Sequence, residues 1–401
     1  MKKKGILFCL FSLGCLGVMA VSLPVSPAAA AEVINVGYTG PLSGGAAKYG
    51  KNNLDGLKMA VDEINEAGGI SVAGKTYTFK VHSLDDRYRP ADSVTNARRF
   101  VELYKPPFIF CPHSGGILGL LKFNEQEGFI LHGYTDNVAI LQQGNKWLVK
   151  APMSMGFYNY GVMEIGWKKG WRKGALLCST HEAAKMAEKI FAFLWKDMGG
   201  EIVANAPADY QKVTDFYPYL TKVLAAKPDA IFLYGPSEPS AMIISSAREL
   251  GFKGGFMLGS QCKLDEMAKV TPLEKLTPSV GVCPVGMMPL PLMKDYSKRH
   301  REKVKTIPTS EAAFNYEVMY IFTEAMKKAG TVKDLDKIMV AIPGVLPVGK
   351  HAIRGIHSMT KEGQFISGYF AMEISGGKFA SPINIDPGPW YKKYGATWAP
   401  K

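Results

Sequence analysis

The chain predicts an α/β fold of two Rossmann-like lobes with parallel sheets, and three observations carry that prediction. Short β-rich runs alternate with helical stretches after Glu32, the pattern of a parallel sheet covered by helices. The alternation runs through two separate series, the second beginning after "WLVKAP". The remainder, Thr271 to Lys401, is too short and too mixed for a third domain, so it reads as chain that crosses between the lobes and completes both. The expected partition is residues 32–151 with about 284–355 in one lobe, and 152–283 with about 356–401 in the other.

In the first series "VINVGYT" reads as a strand, and the helix after it sets Leu54, Leu57, Val61 and Ile64 along one face before Gly68-Gly69 stops it. "TYTFKVHSLDD" is the next strand. "ADSVTNARRFVELY" is a helix with Val94, Ala97, Val101 and Tyr104 on one side, and "FIFCPHS" is a third strand. "SGGILGLLKFNEQEG" and "FILHGYT" repeat the unit. The second series runs from a helix over Met155 to Lys168 through "GALLCST", "AAKMAEKIFAFLWKDMG", "EIVANAP", "DFYPYLTKVLAA", "DAIFLYG" and "PSAMIISSAREL" to "GGFMLGS", strand and helix in turn. A long helix, "EAAFNYEVMYIFTEAMKKAG", and a β-rich stretch, "GQFISGYFAMEI", belong to the closing segment.

The first residues place three lysines before a long apolar run, followed by Pro24, Pro27 and a string of alanines. That is the layout of a secretory signal, with Ala29 and Ala31 as an A-x-A cleavage site, so residues 1–31 are expected to be removed. An uncleaved anchor over Gly5 to Leu23 is the alternative. Lipid anchoring at Cys15 fits less well, because no aliphatic residue stands three positions before it. The mature chain is expected to work in the periplasm or otherwise outside the cytoplasm. The full sequence carries a charge of +13, but it has no dense basic tract interleaved with aromatics, and "KDYSKRHREKVK" reads as the solvated face of a helix, so nucleic acid is not an expected partner. Cys111, Cys178, Cys262 and Cys283 are far apart and form no C-x-x-C pair; buried free thiols are the expected state.

Three near misses bear on chemistry. Gly45 to Asn52 spells G-x-x-x-x-G-K followed by asparagine, without the hydroxyl that would hold a nucleotide's magnesium ion. "HEAAK" at His181 to Lys185 puts a cation where the zinc motif H-E-x-x-H needs its second histidine. "PHSGG" has Pro112 in place of the first glycine of a nucleophile elbow. No catalytic residue, metal or cofactor is therefore expected, and a hydrolase using Ser114 is the rival class. Ser114 also admits the plainer role of a helix cap.

Taken together, "INVGYTGPLSGGAAKYGKNNLDGLKMAVDEINEAGGI", "DDRYRPADSVTNARRFVE", "TDFYPYLTKVLAAKPDAIFLYG" and "ELGFKGGFMLG" resemble the branched-chain amino-acid-type solute-binding proteins of bacterial ABC importers, the Leu/Ile/Val-binding protein family. The likeness runs from about Val33 to beyond Tyr369. It implies a type I periplasmic binding protein, two lobes joined by a multi-strand hinge, a small-molecule ligand held between them, and a membrane permease as partner. An extracellular sensing protein shares the same architecture.

The resemblance also implies site residues. Tyr49 matches the aromatic residue that packs on the ligand, Ser114 the serine that grips its carboxylate, and Tyr134 and Thr135 the positions that close around it. The strand end "PHSGG" would add His113 and Gly115, the latter by close backbone approach. From the second lobe His181, Glu182, Tyr234 and Gln261 are expected at the cleft. Gln261 stands where amino-acid binders carry an acidic residue for the ligand's ammonium group, and His113 stands where the family places one half of a disulfide. The expected ligand therefore shifts toward a carboxylate or amide that lacks the amine, with an aromatic body as one option.

Overall fold

The computed structural model describes Met1, residues 31–210 and residues 212–400; residues 2–30, the body of the expected export signal, lie outside the described residues. The first sheet is built by β1 (Glu32–Gly40), β2 (Ile70–Val72), β3 (Lys75–Asp85), β4 (Phe108–Cys111), β5 (Ile130–Tyr134) and β6 (Leu148–Ala151). Between these strands run α1 (Ala47–Glu66), α2 (Pro90–Tyr104), α3 (Ser114–Leu120) and α4 (Asn124–Glu127). The strand order is β2-β3-β1-β4-β5-β6, parallel except for the β2–β3 hairpin.

The next segment adds α5 (Met155–Lys168), β7 (Lys173–Cys178), α6 (Glu182–Asp197), β8 (Glu201–Asn205), α7 (Tyr217–Ala225) and β9 (Ala230–Tyr234). It continues with α8 (Ser237–Glu249), β10 (Gly255–Leu258), α9 (Leu264–Met267), α10 (Leu273–Leu276) and β11 (Ser279–Val282). The closing segment holds α11 (Pro291–Val304), α12 (Ser310–Ala329), α13 (Leu335–Ala341), β12 (Ser358–Met359), β13 (Phe365–Ile366), β14 (Tyr369–Ser375), β15 (Lys378–Phe379), β16 (Ile383–Ile385) and α14 (Pro387–Tyr394). The second sheet has the order β15-β14-β11-β10-β9-β7-β8, with β16 beside β14, and only its β14 side is antiparallel.

The central strands β4, β9 and β10 are buried along their whole length, which is why "FIFC", "AIFLY" and "GFML" are continuous apolar runs rather than alternating ones. The chain passes between the sheets from β6 to α5, from β11 to α11 and from α13 to β14. The second passage returns α11 and α12 to the first sheet. There α12 lies so close along α1 that a Cβ at Gly56 would stand 1.9 Å from the Ala312 carbonyl oxygen, and the buried Asn315 amide donates to Asn53 Oδ1 at 2.8 Å.

Three features differ from the reading of the sequence. The strands β2, β6 and β11 were not expected, being only three or four residues long. The helix expected to run on from Ser114 breaks into α3 and α4, because the Phe123 ring packs on Phe129 and the Asn124 amide donates to the Phe129 carbonyl, pulling the chain inward. "KDYSKRHREKVK" does fall in α11, but Tyr296 and His300 are buried and Arg299 pairs with Glu63 and Asp295, so only its outer face is solvated. The "GGAAKYGKNN" turn packs tightly against the end of β1: a Cβ on Gly50 would meet the Pro41 carbonyl, and Tyr38 donates to the Gly50 carbonyl at 2.7 Å. All four described cysteines are buried free thiols.

His132, in the middle of β5, gives the fold a measurable acid sensitivity. Its ring is fully buried against the edge of Phe110, and burial pushes the imidazole down to about 3, only partly opposed by the Val149 backbone. An unfolded histidine binds its proton near 6.5, so between 6.5 and 3 the unfolded chain holds the extra proton and stability falls as pH falls. From pH 7 to pH 5 this loss is about 2 kcal/mol. Denaturant unfolding at both pH values should show that loss in the native chain and its absence in His132→Leu; equal losses in the two proteins would remove His132 as the cause.

Candidate functional site

The carboxyl ends of β4 and β5 bring four of the expected residues together. Tyr49, reaching over from the first turn of α1, donates its hydroxyl to the Pro112 carbonyl and lies 3.5 Å from the Tyr134 carbonyl, so it pins the two strand ends side by side. Ser114 Oγ and Thr135 Oγ1 are then 2.9 Å apart. The Asn137 N–H donates to Thr135 Oγ1 at 3.2 Å, which uses an acceptor position and leaves the hydroxyl hydrogen free to be donated. Tyr134 sits between Tyr49 and Phe314, with ring centroids 6.3 and 6.1 Å away.

His113 is committed elsewhere. Its Nδ1 accepts the Gly116 N–H at 3.1 Å, capping α3, and its Nε2 donates to Asp86 Oδ2 at 2.9 Å with Ser93 Oγ 3.1 Å away. It therefore offers no base to Ser114, whose hydroxyl partner is Thr135. Asp86, Cys111 and His113 hold their ligand atoms within 4.8 Å of one another, a grouping able to take a metal ion, but these hydrogen bonds already account for the histidine and the carboxylate. Gly115 is partly buried, and a Cβ there would stand 2.7 Å from Pro90. Tyr88 stacks on the His113 ring at 4.7 Å while half exposed, and its positive φ of 63° places it there.

On the other side, Tyr234 ends β9 and its buried hydroxyl donates to Asp136 Oδ2 at 3.2 Å. Ser260, just after β10, donates to the same oxygen at 2.6 Å. His181 caps α6 by accepting the Ala184 N–H; burial lowers its pKa, and hydrogen bonding to Gln261 and the charge of Asp136 oppose that shift. His181, Tyr234 and Gln261 thus meet at the β7, β9 and β10 ends, facing Asp136, whereas Glu182 is exposed on the first turn of α6. A second bridge between the lobes joins Lys263 to the buried Glu311 at 2.8 Å. The carboxylate draws the Lys263 pKa up against the effect of burial, and Lys263 draws the Glu311 pKa down against the same effect.

Beside these bridges lies a cavity of about 590 Å³, walled by both lobes and by the passages between them. Of the expected site residues it includes Tyr134; Ser114, Thr135, His181 and Gln261 do not line it. Its other walls include Tyr158, Ser260, Lys263, Met288, Glu311 and Arg354. Sequence reasoning missed these residues together with Asp136. Asp136 and Ser260 adjoin strand-end motifs that pointed to the cleft, while Arg354 and Met288 lie in passages with no periodicity to mark them.

Among the described residues no helix is long and apolar enough to cross a membrane. Residues 33–378 match the model of the periplasmic binding protein family. A Leu/Ile/Val-binding protein homolog 6 of Brucella suis is 24% identical over 228 residues, 56% of this chain and 56% of that protein, so the match spans about half the length of that relative. The branched-chain amino acid transporter substrate binding protein LivJ of Streptococcus pneumoniae, solved with isoleucine, superposes with a TM-score of 0.73 at 22% identity, over 89% of this chain and 100% of its own. A solute binding protein of an ABC transporter from Rhodopseudomonas palustris BisB5, solved with 3,4-dihydroxy benzoic acid, gives 0.74 at 20% identity, over 88% and 97%. These structural likenesses agree with the two parallel sheets and triple passage described above, and with the family match over most of the chain they establish that this protein belongs to the periplasmic binding protein family.

Proposed function

We propose that the chain is an exported solute receptor of an ABC importer, which captures a small carboxylate-bearing molecule by closing two lobes on it and presents the closed form to a membrane permease. The lobes are residues 32–151 with about 284–355, and 152–283 with about 356–401. The observation that carries this reading is the cavity between the lobes, lined by Tyr134 at the end of β5, next in sequence to Thr135, whose hydroxyl pairs with that of Ser114. Ligands of open α/β sheets sit at such strand ends, and a cleft of this volume suits a molecule the size of an amino acid or aromatic acid. The ligands of the two named neighbours, isoleucine and 3,4-dihydroxy benzoic acid, are both carboxylic acids and support that class. Gln261, a neutral residue where an ammonium would need a counter-ion, favours an acid without the amine.

Titration calorimetry of the purified protein against amino acids, amides and aromatic acids tests the reading. At least one carboxylate should bind with a dissociation constant of about 1 µM or tighter. Ser114→Ala should weaken that binding about tenfold or more, the value of one hydrogen bond to a charged group. No heat with any compound would defeat the receptor reading.

A further inference from the structure

We infer that Arg354 is the counter-ion for an anionic group of the solute, held within the cavity between the lobes on an apolar or aromatic body. This rests on the receptor reading above and narrows the solute class. Arg354 lies in the passage from α13 to β14 and is only 2% exposed. Its guanidinium sits 4.4 Å above the Phe314 ring. Nε has no hydrogen-bond partner, and Nη1 contacts only the Met288 sulfur. Among the described residues no carboxylate oxygen comes within 4.0 Å of it.

The nearby acids are otherwise engaged. Glu317 spends its oxygens on the backbone N–H groups of Arg354 and Ile356, and burial pushes its carboxyl up to about 8. Glu311 is taken by Lys263. A buried cation without a partner costs several kcal/mol, and a guanidinium does not relieve that cost by shedding its proton. The arrangement is favourable once a carboxylate from outside enters the cavity and meets the guanidinium fork. Tyr134, Tyr158, Cys283, Val285 and Met288 give the cavity an apolar wall that suits the rest of such a molecule, while Ser260, Lys263, Asp265 and Glu266 line it with polar groups.

Calorimetry with benzoate, 3,4-dihydroxybenzoate, isoleucine and benzamide on the native protein, Arg354→Met and Arg354→Lys tests this. The native protein should bind a carboxylate of this set, Arg354→Met should bind it about ten- to 150-fold more weakly, and Arg354→Lys should fall between. Benzamide binding should change less than threefold. Without ligand, Arg354→Met should melt no lower than the native protein, since an unpaired buried charge has been removed. Carboxylate binding to Arg354→Met within threefold of native overturns the inference and leaves the receptor reading standing. If Arg354→Met does not fold, Arg354→Lys decides: weakened carboxylate binding with unchanged benzamide binding supports the role, and no weakening overturns it. Silence of the native protein toward every compound defeats the receptor reading and this inference with it.

Discussion

Asp86→Ala is expected to lower the unfolding free energy by about 3–5 kcal/mol, the range for removing one partner of a buried charged network. The carboxylate is fully buried and holds four donors at once: Thr39 Oγ1 at 3.2 Å, Ser93 Oγ at 2.8 Å, His113 Nε2 at 2.9 Å and the Tyr88 N–H at 2.9 Å. Those donors come from the end of β1, from α2, from the strand end that carries Ser114 and from the loop before α2. Alanine removes the acceptor of all four, leaving Ser93 Oγ only the Arg89 carbonyl at 3.3 Å, at about 1–3 kcal/mol for each donor that stays buried and unpaired. Urea unfolding should show a lower midpoint with an unchanged slope. Because the network fixes the loop that presents Ser114, carboxylate binding should weaken in the same variant even where it remains folded. An unfolding free energy within about 0.5 kcal/mol of the native value would show that these hydrogen bonds are replaced by water at no cost.

The same residues show what the sequence discloses and what it does not. Strands such as β4 and β9 and helices such as α5 and α12 announce themselves by composition and period, since burial on both faces of a parallel sheet demands unbroken apolar runs. The meeting of Tyr49, Ser114, Tyr134 and Thr135 is legible for a related reason: residues at the ends of neighbouring parallel strands are brought together by topology alone. His113 shows the limit of that argument. Its place beside Ser114 in the chain says nothing of its ring, which the structure turns to Asp86 and Ser93. Arg354, Glu311 and Lys263 are less visible still. Arg354 lies in a passage between the sheets, and Lys263 before α9 reaches Glu311 in the first turn of α12, so the contacts join residues far apart in sequence and no local pattern marks a buried charge. The three short strands β2, β6 and β11 were missed because pairing with an existing sheet, rather than intrinsic preference, makes them strands.

Asp136→Ala should open the protein. Asp136, at the tip of β5, takes Ser260 and Tyr234 from the other lobe on a single oxygen, at 2.6 and 3.2 Å. Each hydrogen bond to a charged group is worth about 1.5–3 kcal/mol, so losing both shifts the balance between closed and open forms by about 3 kcal/mol or more. A shift of that size changes the closed population about 100-fold, and the apparent affinity for any ligand that needs the closed form falls by the fraction of protein no longer competent to hold it. The Lys263–Glu311 bridge survives the substitution, so closure by a tightly held ligand remains attainable at higher concentration. X-ray scattering of the unliganded variant should therefore give a larger radius of gyration than the native protein, and saturating ligand should bring the two together. Thermal unfolding should change little by comparison, because the apolar core that runs through both sheets keeps its packing. Identical scattering and affinity in the two proteins would place the closing force elsewhere, in the Lys263–Glu311 bridge or in the ligand itself.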